Sequence, residues 1–201
     1  MGFDRIATYY DALARLVFGK SLQKAQTCFL NYIPPGSNVL VLGGGTGWWL
    51  NEFLRLNPTC KIVYIDESSE MIRLAKKFTN NDQRIVFVQG TQDSIPERSK
   101  FDVVILFCFL DLFTEKQLPD MFRKIMGSMN SNSHWLVTDF INRSWWHSLL
   151  LFVMYRFFKL TTGLKNQRLP DWQEAMHQTG LRKVDEKSFF GQFIKSALYR
   201  Q

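Results

Sequence analysis

Val39-Leu40-Val41-Leu42-Gly43-Gly44-Gly45-Thr46-Gly47 is an apolar run that empties into glycines, and Asp66 closes a second apolar run, 61–65, 19 residues after the last of them. Short apolar stretches bounded by turn residues have the pattern of strands buried on both faces. Glycine has no Cβ, so glycines in a strand-to-helix turn let the chain bend tightly and bring its N–H groups against a ligand. A carboxylate at the tip of the neighbouring parallel strand answers a different need. It can accept hydrogen bonds from both hydroxyls of a ribose lying across the strand ends. The pairing points to an adenosine-bearing cofactor.

Working outward, apolar and β-branched runs predict strands at 38–42, 61–66, 84–89, 101–108 and 134–140, separated by helices over 46–56, 68–79 and 115–129. Ser68 is placed to cap the second of these helices and Thr114 the third. Strands alternating with helices make a doubly wound α/β sheet covered on both faces. Ahead of it, Phe3, Ile6, Ala7, Tyr10, Leu13, Ala14 and Val17 recur at helical spacing over 3–17, and a second helix runs from Leu22 to Tyr32. Pro34-Pro35-Gly36 stops it, because proline lacks an N–H and forces its predecessor out of the helical region. After helices at 143–161 and 170–179, two β-like runs, 182–189 and 192–200, are joined only by a short turn at Gly191. A parallel pair needs a much longer crossover, so this end of the seven-stranded, mostly parallel sheet is antiparallel. The 201 residues suit a single domain. It divides into a helical cap (1–36), a cofactor-binding core (37–141), an apolar and basic lid insertion (142–169) and a C-terminal helix and strand pair (170–201).

Cys28, Cys60 and Cys108 have no metal-ligand spacing, no His, Cys and acidic set suits a metal, and no secretory leader is apparent. Reduced thiols in a cytoplasmic protein are expected. The net charge of +7 is local: residues 142–201 hold ten Lys or Arg against four Asp or Glu. It coincides with 145–160, rich in Trp, Tyr and Phe, a combination suited to an anionic membrane surface or a greasy acceptor. A nucleic-acid partner is disfavoured, since the charge is accompanied by aliphatic bulk and not by a polar groove.

A dinucleotide loop wants glycine at its sixth position for close helix packing. Trp48 stands there, which argues against NAD and an oxidoreductase and leaves S-adenosylmethionine. Residues 37–110 resemble the core of the class I S-adenosylmethionine-dependent methyltransferases. Gly43 to Gly47 with its strand is similar to their first motif and Ile62 to Met71 to their second; Val88 to Pro96 stands at their adenine loop and Phe101 to Ile105 at their fourth strand. The helix carrying Tyr9-Tyr10-Asp11 is similar to that of the quinone and small-lipid branches. The resemblance implies that Gly43, Gly44, Gly45 and Gly47 bend around the methionine moiety, that Asp66 binds the ribose, and that Glu67 and Met71 border the adenine. Thr91 and Gln92 would meet its edge, and Leu106 or Phe107 would line the sulfonium side. Two positions depart from the family pattern. Val41 replaces an acidic residue that helps hold the amino group, and Thr91 replaces the adenine-loop aspartate, for which Asp93 is a candidate substitute.

Methyl transfer from a sulfonium displaces a neutral leaving group, so the enzyme chiefly holds the nucleophile in line; a base is needed only for an acceptor that starts protonated. Tyr10, Asp139 and His147 are the candidate catalytic residues. On a helical projection the apolar arc of 145–160 is wide enough for burial, lipid contact or a homodimer interface. Placed after the fifth strand, this helix can fold over the strand ends as a lid for a small hydrophobic acceptor. Two readings follow: a methyltransferase, and a non-catalytic methyltransferase-like partner subunit.

Overall fold

Val39, Val41, Val103 and Ile105 pack on one face of a sheet and Leu40, Leu42, Val104 and Leu106 on the other, the arrangement that uninterrupted apolar strands require. The computed structural model describes residues 4, 6–162 and 168–201, so Phe3 lies outside the described residues. Seven strands, β1 (Asn38–Leu42), β2 (Lys61–Asp66), β3 (Ile85–Gln89), β4 (Phe101–Phe107), β5 (Met129–Phe140), β6 (Arg182–Phe189) and β7 (Ile194–Arg200), lie in the order β3-β2-β1-β4-β5-β7-β6. β1 to β5 are parallel, and β7 runs antiparallel between β5 and β6. Direction of winding reverses between β1 and β4, which opens a crevice at their carboxyl ends.

Helices α1 (Ala7–Phe18) and α2 (Ser21–Thr27) precede the sheet; α3 (Leu50–Leu56), α4 (Ser69–Phe78) and α5 (Leu118–Gly127) connect its parallel strands, and α6 (Trp145–Thr162) and α7 (Trp172–Gln178) follow β5. Leu50 and Phe53 of α3 and Ala75 of α4 cover one face, and Met121, Phe122 and Ile125 of α5 with Trp172 and Met176 of α7 cover the other. A third cluster joins Phe18, Leu22 and Ala25 to Leu151 of α6 and to Phe193 and Ile194 at the β6–β7 turn. The Ala25 carbonyl accepts from both Thr138 Oγ1 (3.3 Å) and Ser196 Oγ (2.7 Å), fastening α2 to β5 and β7.

Several elements differ from the sequence pattern, among them the helix expected from Leu22 to Tyr32, which ends at Thr27 and is followed by a separate 3-10 turn at Leu30–Tyr32. The helix expected over 46–56 begins only at Leu50, because Gly47 at φ +69° keeps Thr46 to Trp49 in the turn. The helix expected over 115–129 spans Leu118–Gly127, and Thr114 does not cap it; its N–H and hydroxyl both donate to Gln117 Oε1 (2.9 and 2.8 Å), making a separate turn. β5 begins at Met129, five residues before the apolar run, where polar residues extend the strand by pairing with Phe101 and by the Asn130 to Asp102 hydrogen bond (2.7 Å).

Candidate active site at the carboxyl ends of β1, β2 and β4

The glycine turn is pressed by aromatic rings. Gly43 adopts φ +62° and a Cβ there would lie 2.5 Å from the Phe109 ring, while one at Gly44 would lie 2.1 Å from the buried ring of Tyr64. Only a residue without a side chain fits either place. Tyr64 also donates its hydroxyl to the Gly45 carbonyl at 2.8 Å, and burial pushes its pKa far up, so it stays a donor.

Asp66 holds this turn from below: Oδ2 accepts from Gly45 N (2.8 Å) and Oδ1 from Ser68 N (2.9 Å). Each oxygen retains a further lone pair for a ligand hydroxyl. Burial raises the carboxyl, against the pull of the two amides. Ser68 caps α4 by accepting from Met71 N (3.1 Å) and donates to Asp4 Oδ1 (2.5 Å). Asp11 of α1 accepts from Thr46 Oγ1 (2.8 Å), so a second carboxylate, with its pKa raised by burial, faces the glycine turn.

Glu67, Met71, Thr91 and Gln92 stand at the same edge, since Asp66 pairs with Gln89 and its carbonyl accepts from Gly90 N (2.9 Å). Glu67 is exposed and Met71 is buried; the Thr91 hydroxyl caps its own turn by accepting from Asp93 N (3.2 Å). Asp93 does not take the place of the missing adenine-loop acid. It is exposed and forms an ion pair with Lys124 on α5.

The end of β4 corrects the expectation for the sulfonium side. Leu106 is wholly buried in the α5 layer and Phe107 packs edge-on against Trp49 at 5.1 Å, so neither side chain reaches the crevice. Cys108 follows them at φ +50°, a conformation uncommon for a residue with a side chain and one that turns the chain out of the sheet. Its N–H donates to Thr138 O at 2.7 Å.

Asp139 is fully buried beneath that bend and is a clamp. Its Oδ2 accepts from Phe109 N (3.2 Å), Leu110 N (2.8 Å) and Asp111 N (3.3 Å), and its Oδ1 from Phe140 N (2.8 Å). A carboxylate so enclosed has no open path to a substrate, which removes it from the catalytic candidates. Burial, opposed by these amides, lifts its pKa to about 7, and burial together with the Asp139 charge pushes the neighbouring Asp111 carboxyl well above the ordinary carboxylate range. His147 is also removed: Nδ1 accepts from Arg143 N (3.0 Å) and Nε2 donates to Gly191 O (3.2 Å), so both ring nitrogens pin the start of α6 to the β6–β7 turn.

Tyr10, the third candidate, lies on α1 next to Asp11. Burial and the nearby Cys108, Asp111 and Asp139 push its phenol far up, and its ring centroid lies 6.4 Å from that of Phe158, so α1 and α6 meet there. Tyr155 reaches the same carboxylates from α6, and its buried hydroxyl has no hydrogen-bond partner among the described residues. Asp11, Cys108, Asp111 and Tyr155 were not evident as site residues from the sequence. No spacing joins them, although the polar Asp111 just past an apolar strand is a usable signal. Among the described residues no group of His, Cys, Asp or Glu could hold a metal ion.

Residues 39–132 match the family model described as a methyltransferase domain. That stretch is similar to a methyltransferase domain. It is 31% identical over 84 residues to malonyl-[acyl-carrier protein] O-methyltransferase of Halalkalibacterium halodurans, covering 38% of this chain and 31% of that one. It is 29% identical over 111 residues to polyamine aminopropyltransferase of Pyrobaculum islandicum, covering 47% and 38%. These matches span about a third of the length of the curated relatives. Among solved structures, 1,6-didemethyltoxoflavin-N1-methyltransferase of Burkholderia thailandensis, with 1,6-didemethyltoxoflavin and S-adenosylhomocysteine bound, superposes with a TM-score of 0.69 at 15% identity, covering 98% of this chain and 85% of that one. The chain thus shares the fold of that structure, and its glycine turn and Asp66 lie inside the region matched by the family model.

Proposed function

We propose that the chain transfers a methyl group from S-adenosylmethionine to a small hydrophobic acceptor. One observation carries the reading: a glycine turn that two rings leave no room to substitute, braced by a carboxylate whose remaining lone pairs suit a ribose. In this reading Gly43, Gly44, Gly45 and Gly47 cup the amino-acid moiety and Asp66 takes the ribose. Glu67 and Met71 border the adenine, with Thr91 and Gln92 at its edge. Val41 is buried in the sheet and offers nothing to an ammonium, whereas Asp11 presents a carboxylate at Thr46 and suits it.

When bound, the cofactor supplies an electrophilic methyl on a sulfonium that leaves as a neutral sulfide. The protein's share is alignment. Asp139 fixes the Cys108 to Asp111 bend, α1 and α6 close over it, and Tyr10 and Tyr155 border the acceptor. Asp111, held in the same bend by Asp139, borders the acceptor beside them. The surrounding aromatic and aliphatic side chains exclude water and favour an apolar acceptor.

Calorimetry with S-adenosylhomocysteine tests the cofactor. Micromolar binding weakened about 100-fold by Asp66→Ala, roughly 2.7 kcal/mol, is expected. Val41 and Thr91 motivate the other reading, a non-catalytic partner subunit; a folded protein that gives no heat would favour it. Labelled methyl appearing in a lipid extract and not in a polar metabolite extract is expected, and the reverse would end the hydrophobic-acceptor proposal.

A further inference from the structure

Seven of the eleven large hydrophobic side chains exposed among the described residues belong to the two helices over the crevice: Tyr9 and Leu16 on α1, and Trp145, Leu149, Phe152, Val153 and Leu160 on α6. The spacing of the α6 set is helical, so these five make one outward stripe, while Leu151 on the opposite side is buried in the third cluster. Trp145 and Leu160, at either end of the stripe, are each 79% exposed, and Leu16 is 82% exposed. An apolar face turned outward this completely is the reverse of an ordinary surface helix, whose apolar stripe faces the core. Charge around the stripe has one sign. Residues 145–162 contain Arg156 and Lys159 and no Asp or Glu. A groove of about 490 Å³ beside the stripe is lined by Ser148, Tyr155, Arg156, Lys159 and Arg168, among other residues, none of them acidic. On α1 Asp11 is turned inward to Thr46, and Arg15 is exposed. No helix among the described residues is long and apolar enough to cross a membrane, so this surface can meet a bilayer only from its side.

We infer that α1 and α6 form a two-helix platform that lies on an anionic phospholipid surface, with the apolar stripe among the acyl chains and lipid phosphates in the groove of Arg156, Lys159 and Arg168. An interfacial helix needs an apolar face for partitioning and flanking cations for attraction to anionic lipid, and the platform has both. Because the same helices roof the crevice, the acceptor enters from the membrane without crossing water. That last consequence rests on the methyl-transfer reading above; the docking itself does not.

Co-sedimentation of the whole protein, without cofactor, with vesicles of phosphatidylcholine alone or with phosphatidylglycerol added measures the docking. Binding at least tenfold tighter to the phosphatidylglycerol vesicles, and weakened by salt, is expected. Trp145→Ser with Leu160→Ser should weaken it at least tenfold, and Arg156→Glu with Lys159→Glu should erase the preference for anionic lipid. All four residues are exposed or lie on the exposed side of α6, so melting temperature and the heat of S-adenosylhomocysteine binding should be unchanged. No vesicle binding by the unaltered protein, or equal binding by the variants, overturns the proposal. So does a dimer seen by light scattering that the Trp145→Ser and Leu160→Ser changes split, since the stripe then belongs to a second copy. Vesicle binding without cofactor heat would retain the platform and sink the methyl-transfer reading; the opposite result would do the converse.

Discussion

The glycine turn and the α1–α6 roof face each other across one crevice but are built by different means. The turn consists of backbone within a short stretch, braced by Asp66 and Tyr64 from the adjacent strand. The roof and the bend beneath it draw single side chains from α1, β4, β5 and α6, and are held by a buried carboxylate. Local backbone geometry leaves a compact sequence signature, whereas a long-range polar cluster leaves almost none. In the proposed reading the contrast also divides the chemistry, with cofactor recognition on the first side and acceptor selection on the second.

Asp139→Ala should give the largest effect if the bend depends on its clamp. Three buried N–H groups and one part-buried one would lose their acceptor, and urea unfolding should show a loss of about 3–5 kcal/mol. A loss below about 1 kcal/mol would mean that the bend is held by other contacts. The same carboxyl sets a pH dependence. Its folded pKa of about 7 lies above the ordinary value of 3.8, so the folded state binds more protons and its stability should fall as pH rises across that window. Asp139→Asn should flatten the slope, and a stability that climbs with pH over the same range would contradict the assignment.

Gly44→Ala probes the other side. Its Cβ would collide with the buried Tyr64 ring, so a loss of about 1–3 kcal/mol in stability is expected, with S-adenosylhomocysteine binding abolished. Gly45 meets nothing within 4 Å, but its φ of +66° makes alanine there strained by about 1 kcal/mol. If both variants bound cofactor normally, the turn would not be the cradle. Tyr155→Phe should have the smallest effect on folding. It removes a buried hydroxyl without a hydrogen-bond partner among the described residues, so stability should hold or rise by about 1 kcal/mol. Turnover should fall with cofactor affinity intact. A proportional loss of both would move Tyr155 out of the acceptor side.

The strands read most clearly because each is a short apolar run between turn residues; 38–42, 61–66 and 182–189 match β1, β2 and β6 to the residue. Helix starts were less legible. The helix pattern begins at residue 46 and Thr114 looks like a cap in one dimension, yet Gly47 keeps Thr46 in the turn and Gln117 draws Thr114 into a separate one. The polar start of β5 is silent in hydropathy because strand pairing, not burial, holds it. Asp139 and His147 are chemically able side chains whose enclosure depends on partners far away in sequence. The bend at Cys108 is announced by no propensity, so the fourth strand, expected over 101–108, ends one residue sooner at Phe107.

The antiparallel β7, wedged between β5 and β6, has a consequence for synthesis. Ser196 is 171 residues from Ala25, yet it supplies one of the two hydroxyl bonds that fasten α2. While the ribosome is still making the preceding residues, β5 has an unfilled edge and the early helices lack half of their anchor. The nascent chain can therefore assemble its five parallel strands first, but its roof settles only after the last strand slots in.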